Sequence, residues 1–210
     1  MKGHKGDKFE FRIKHIDYQV WVQHLSLYEQ ISKPFSLIIK VVSKNEIDSH
    51  LVLGNDAVLT IYGPNGKRIL HGIINNLMLS GKCGHFLIYE ATVVPSILLL
   101  DLNKHYRAFQ KMTPIEIVSH LLNNNDVINM DHCFRLESEY TPLRFCNQFG
   151  ESDFGFISRV LEENGMFYYF EHTESGHTMI ISDSDAVYAL SIQVANAPAR
   201  AVAKTSAGVR

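Results

Sequence analysis

The sequence predicts a mainly β chain of the α+β kind: an antiparallel, barrel-like sheet comes first, and a second region carries two amphipathic helices. Three observations predict it. The first 95 residues break into short apolar runs at regular spacing, separated by turn residues. Helical periodicity enters only after Pro95, in two stretches near 114–124 and 152–164. The aromatic run Phe167–Phe170 directly follows the second of these, across Gly165.

In the first region, Phe9-Glu10-Phe11-Arg12-Ile13-Lys14 alternates with the period of a half-buried strand. A second strand is expected within Asp17–Tyr28, on Tyr18, Val20, Val22 and Leu25, with Lys33-Pro34 breaking it. Further strands are expected at Phe35–Val42, Ala57–Tyr62, Ile69–Leu79 and Phe86–Val94. Gly63-Pro64-Asn65-Gly66 and Gly81-Lys82-Cys83-Gly84 read as the turns between them. A sheet of this kind closes or stacks to hide its edges.

The second region is expected to span 96–185. Thr113-Pro114-Ile115-Glu116 has a helix-start pattern: Thr113 caps, Pro114 suits the first turn and Glu116 reaches back. Ile115, Val118, Leu121 and Leu122 then form an apolar stripe, and Asn123-Asn124-Asn125 ends it. The second helix starts near Ser152, with Phe154, Ile157, Val160 and Leu161 on its inner face, and Gly165 supplies a left-handed C-terminal cap. Phe167–Glu171 and Thr178–Ile181 read as a hairpin around Glu174-Ser175-Gly176. From 186 to 210, eight of 25 residues are Ala and no period is visible, so a weakly ordered tail foreign to the preceding region is expected.

Composition narrows the function. The chain has 210 residues, 46% hydrophobic and 20% charged, with a net charge of −2. That balance gives no global electrostatic case for nucleic acid or an anionic membrane. No apolar run approaches the ~18 residues of a membrane span. The polar N-terminus lacks the apolar stretch of a signal peptide, so synthesis in the cytoplasm is expected. The three cysteines, Cys83, Cys133 and Cys146, are widely spaced and read as small buried hydrophobes rather than a disulfide framework.

Candidate chemistry is sparse. Glu162 and Glu163 are adjacent acids in the last helical turn, about 100° apart around the axis, so they do not face each other as a catalytic pair. Gly63-Pro64-Asn65-Gly66-Lys67 has the wrong spacing for a phosphate loop and fits a hairpin turn. His132-Cys133 with Cys146 lacks an evident fourth metal ligand. Asp183-Ser184-Asp185 opens like a calcium loop but lacks the later Gly and Glu. No GxSxG motif is present. No catalytic residue, metal or cofactor is expected, and a structural or assembly role is favoured over an enzyme.

The stretch from Phe145 to Phe154, with Phe156-Ile157-Ser158-Arg159-Val160-Leu161-Glu162-Glu163-Asn164-Gly165 and Tyr168-Tyr169-Phe170-Glu171-His172, closely resembles the signature of the VgrG family, the spike-and-hub proteins of bacterial type VI secretion. Ile31-Ser32-Lys33-Pro34-Phe35, Leu70-His71-Gly72-Ile73 and Phe109-Gln110-Lys111-Met112-Thr113-Pro114 resemble further family segments in the same order. The positions carrying the signature are Cys146, Gln148, Glu151, Ser152, Asp153, Phe154, Phe156, Arg159, Leu161, Glu162, Glu163, Gly165, Tyr169, Phe170, Glu171 and His172. Gly150 and Gly155 depart from it, the family often having Arg and an acid there; a helical Gly costs about 1 kcal/mol relative to Ala.

The resemblance implies the fold of a contractile phage tail hub, two barrel-like domains with helical insertions. It implies a homotrimer capping an inner tube and carrying a needle, with effectors or adaptors as further partners, and export through the secretion apparatus. It also implies that 1–210 is a truncated hub fragment, since the remaining hub, an oligonucleotide-binding-like barrel and the β-helical needle are not found in this sequence. A prophage tail hub is the alternative; an enzyme or toxin fits less well.

Overall fold

The structure, a computed structural model, describes residues 8–184 except 65, 126, 127 and 129. The expected tail 186–210 lies outside the described residues. The first layer is a six-stranded sheet of β1 (Phe9–Ile13), β2 (Trp21–Gln30), β3 (Lys33–Ser43), β4 (Asp56–Gly63), β5 (Gly66–Cys83) and β6 (Phe86–Val94). Its order is β1-β4-β5-β6-β3-β2, antiparallel throughout. A four-residue helix, α1 (Ser49–Val52), lies between β3 and β4.

Alternation drives this layer. Phe11 and Ile13, then Phe35, Leu37, Ile39 and Val41, then Tyr89, Ala91 and Val93 are all buried at every second position. Register shifts in β2 and β5 coil the ribbon. The sheet bends into a half-barrel whose end strands, β1 and β2, share no ladder. The Tyr89 hydroxyl accepts the Ile47 N–H at 3.0 Å inside the bend.

Several boundaries move from their expected places. β2 begins at Trp21 rather than near Asp17, and β3 begins at Lys33 because the chain reverses earlier, at Ser32 with φ 56°. β5 runs on through Gly81 to Cys83, leaving Gly84 (φ 59°) in the turn. Cys83 and Cys133 are exposed; only Cys146 is buried as expected. Cys83 lies at the exposed end of β5 and Cys133 on the exposed face of β8.

The second layer starts with a 3-10 turn, Ser96–Asp101, and continues through β7 (Lys104–Phe109), α2 (Pro114–Asn123), β8 (Asp131–Arg135), β9 (Cys146–Ser152), α3 (Asp153–Glu163), β10 (Phe167–His172) and β11 (His177–Ser182). β7 and β9 form one antiparallel pair, and β10-β11-β8 form a sheet in which β8 runs parallel to β11. The hairpin β10–β11 matches expectation. The Thr113–Glu116 capping box is complete, and Gly165 takes φ 71° after α3.

Both helices turn slightly further than their stripes suggest. Ile117 joins Val118, Leu121 and Leu122 inside, while Ile115 is half-buried. On α3 the fully buried aromatic is Phe156, stacked on Phe109 at 5.6 Å, and Phe154 is half-buried. A second hydrophobic cluster gathers Ile97, Phe109, Ile117, Phe156, Leu161 and Tyr168.

One close approach fixes how the layers meet. A Cβ at Gly72 of β5 would lie 2.6 Å from the Val94 carbonyl oxygen, 2.8 Å from Val93 Cγ1 and 3.1 Å from Phe35 Cζ. Only hydrogen fits there. The Gly72→Ala variant is expected to lose about 1–3 kcal/mol, as overpacked sites do. Urea unfolding should show it as a lower midpoint at unchanged slope; an unchanged midpoint would disprove the constraint.

Candidate functional site: the strand–helix joint

β9 hands the chain to α3 at Ser152, whose Oγ accepts the Gly155 N–H at 3.0 Å. The same hydroxyl donates to Asp101 of the 3-10 turn. A Cβ at Gly155 would come 3.0 Å from Ser152 Oγ, so this glycine makes room for the cap and its helix penalty is partly offset. Gly150 sits at φ 65° where the β7–β9 register shifts, a left-handed position that suits glycine.

Around the cap, polar side chains occupy the interior and each finds a partner. Gln148 is 1% exposed. Its amide donates to Asp153 Oδ1 at 2.7 Å and to the Glu151 carbonyl at 3.1 Å. Its own oxygen accepts from Arg107 Nη1 at 3.1 Å, and Arg107 also forms an ion pair with Asp153. Asp153 is buried in the first turn of α3, where the helix dipole favours a carboxylate.

Arg159 makes a second network one helical turn on. Its Nε and Nη2 fork onto Glu151 at 3.2 and 2.7 Å, its Nη1 meets Glu163 at 3.0 Å, and it lies 5.1 Å over the Phe156 ring. The Arg159 hydrogen bond holds the Glu151 carboxyl below its ordinary range. Burial pushes the nearby Cys146 thiol up. Glu162 is exposed, and Glu163 serves Arg159; the two acids form no pair. On the other sheet, Arg135 of β8 reaches past β11 to Glu171 at 2.6 and 2.9 Å and to the Tyr169 hydroxyl at 3.0 Å.

A third group lies where the layers meet. Phe35 of β3, 2% exposed, is ringed edge-on by Phe170 (5.5 Å), His172 (5.0 Å) and His177 (6.1 Å). The Ser32 N–H crosses to the Tyr168 carbonyl at 2.9 Å, and the His71 N–H to His172 Nδ1 at 3.2 Å. Thus three separate segments, around Phe35, His71 and His172, come together here. Arg107, Arg135, Asp101 and His177 complete these networks and carried no signal in the sequence, because their partners lie tens of positions away along the chain.

The remaining sequence candidates stay apart. Among the described residues no group of three or more His, Cys, Asp or Glu is arranged to hold a metal. His132 packs edge-on against Phe134, away from any cluster with Cys146. Asp183 accepts the Glu137 and Ser138 N–H groups and the Tyr140 hydroxyl. Burial raises its carboxyl, but these donors outweigh burial and hold it at about 2. Gly63 and Gly66 pair across a hairpin, and Lys67 bonds Glu174.

Residues 28–209 match the family of the phage tail baseplate hub (GPD). The chain belongs to that family. The match includes 186–209, the stretch expected to be foreign. This hub chain is 28% identical over 182 residues to a Pseudomonas aeruginosa type VI secretion system spike protein, VgrG5, covering 86% of itself and 23% of that relative. It therefore spans about a quarter of the length of the curated relative. Its structure superposes on the E. coli c3393 protein, a component of the type VI secretion system with structural similarity to T4 bacteriophage tail proteins gp27 and gp5. That match has 26% identity and a TM-score of 0.77, over 84% of this chain and 50% of the other. A 43 kDa tail protein of prophage MuSo2 from Shewanella oneidensis shares the fold at 12% identity and TM-score 0.58, over 85% of this chain and 56% of the other.

The buried network sets a clear expectation for this hub chain. Asp153→Ala strands Gln148 and Arg107 and should cost about 2–3 kcal/mol, whereas Asp153→Asn keeps an acceptor and should cost about half as much. Thermal unfolding of the two variants checks the order; equal losses would mean the network is not what Asp153 supports.

Proposed function

We propose that this chain is a non-enzymatic hub component of a type VI secretion spike, acting as part of the trimeric base between inner tube and needle. The match across residues 28–209 to the baseplate hub family carries this reading, and the 26%-identical type VI component supports it over a phage particle. Residues 1–95 and 96–185 serve as its two hub units. The signature positions from Cys146 to His172 act as the structural joint within it. Partners are other copies, an inner-tube protein, and effectors or adaptors. The protein resides in the bacterial cytoplasm and leaves through the apparatus.

A phage tail hub is the competing reading, since the Shewanella prophage protein shares the fold. The two differ in the tube they cap. Light scattering of the purified chain is expected to give the mass of a trimer, and the trimer is expected to bind rings of the secretion tube protein. A stable monomer would overturn the base role, and binding to a phage tube protein alone would select the competing reading.

A further inference from the structure

Three histidines from distant parts of the chain meet between the two layers: His71 on β5, His172 on β10 and His177 on β11. His71 and His177 are each 6% exposed. Their hydrogen bonds fix their protons. The Ser96 N–H, which can only donate, points at His177 Nε2 from 3.1 Å. Neutral His177 therefore carries its proton on Nδ1. That nitrogen lies 3.1 Å from His71 Nδ1, so it donates there and His71 is protonated on Nε2. His172 Nδ1 lies 3.2 Å from the His71 N–H and 3.1 Å from the His71 carbonyl oxygen. Its Nε2 is buried with no partner among the described residues.

The relay works only with neutral rings. A proton added to His177 lands on Nε2, facing the Ser96 N–H at 3.1 Å, with the Ser96 Oγ at 3.3 Å as its sole acceptor among the described residues. One added to His71 lands on Nδ1, facing the His177 N–H. One added to His172 places a cation beside an unpartnered buried nitrogen. Each addition sets donor against donor or buries an unpaired charge.

We propose that this relay is an acid-released clasp: His71, His172 and His177 hold the β10–β11 hairpin and the 3-10 turn onto the half-barrel while neutral, and protonation parts the two layers before either core unfolds.

The charged neighbours act in the same direction, with one opposing group. Lys14, directly after β1, paired with Asp56 of β4 at 3.0 Å, disfavours a second cation at His71. Arg68 of β5, paired with Glu29 of β2, disfavours one at His172. Asp56 favours protonation at His71 and His177, and the His71 carbonyl oxygen favours it at His172. Phe35 of β3 and Ser96 of the 3-10 turn bring no charge. Burial dominates, holding His172 at about 4 and His177 at about 3, and His71 below its usual value.

In the parted state these rings are solvated and return to the ordinary 6.5. The open state then binds more protons, so the clasp is intact above about pH 6.5 and is lost as pH falls towards 4. At about pH 5, His172 and His177 each favour opening by about thirtyfold. Carboxylates with ordinary values stay largely ionised at that pH and contribute little.

Amide hydrogen exchange on the full chain tests this. The Ser32 and His71 amides each bond across the joint, while the Leu59 and Val118 amides report the two cores. Between about pH 7 and about pH 5, after correction for intrinsic exchange, protection of the two joint amides should fall at least a hundredfold relative to the core amides. The His172→Phe variant keeps the ring packed on Phe35 and removes the unpartnered nitrogen. It should shrink that fall by more than tenfold. Joint and core amides losing protection together, or an unchanged fall in His172→Phe with core protection intact at about pH 7, would overturn the clasp. Ring resonances of the wild-type chain supply a readout independent of any variant: His172 or His177 titrating near 6.5 with joint protection retained would also overturn it.

Discussion

The ring of Phe35 touches both layers at once, and the arrangement of the molecule depends on its fit. It leaves the half-barrel as one residue of an alternating strand, with Leu37, Ile39 and Val41 behind it in the core. At the other end it meets Phe170, His172 and His177 edge-on, the geometry in which the positive rim of one ring faces the negative face of another. This fit requires β5 to pass with no side chain at Gly72, since the space a methyl group would occupy is already filled by Phe35, Val93 and the Val94 carbonyl. One absent carbon thus lets an aromatic side chain of one layer seat in the other.

The strand–helix joint of the second layer answers a different problem. β9 must bring polar side chains inward, because the chain turns directly into α3 and the cap needs donors and acceptors there. Gln148 and Asp153 are buried without penalty because Arg107 and the Glu151 carbonyl complete their bonds. Arg159 does the same for Glu151 while its flat guanidinium covers Phe156. The signature residues therefore hold distinct physical roles. Ser152 caps, Gln148 and Asp153 satisfy the interior, Arg159 ties the helix to its own leading strand, and Gly165 reverses the chain.

These roles explain what was legible in the sequence. Strands with apolar inward positions, such as Phe11/Ile13 and Leu37/Ile39/Val41, could be read from period 2, and the capping box at Thr113 from its spacing. β7 and β9 could not. Their inward positions mix His105, Arg107 and Gln148 with Phe109 and Cys146, so hydrophobicity shows no clean alternation, and Gly150 shifts the period within β9. β8 is too short and charged to stand out, and its parallel pairing with β11 joins residues about 45 positions apart. The segments around Phe35, His71 and His172 could be quoted in order, but only the fold shows that they touch. The boundary errors at Ser32 and Gly84 share one cause, a residue in the left-handed region placing the reversal a step away from the Pro or Gly cluster that marked it.

A joint built from aromatic and imidazole rings differs in kind from the cores it connects. Leu, Ile and Val cores respond to acid only when the whole chain unfolds, because they have nothing to titrate. The ion pairs between the layers at the rim, Lys67 and Arg12 to Glu174, are exposed, weak and screened by salt. What remains to hold the layers is the seated Phe35, the Ser32 to Tyr168 backbone bond and a set of neutral imidazoles whose hydrogen bonds fail on protonation. The contact between layers is therefore the part of this hub chain most sensitive to pH, and the two cores are the least. A hub unit whose layers separate without either melting can change its outline and close again, because the apolar alternation that built each layer is untouched by the proton.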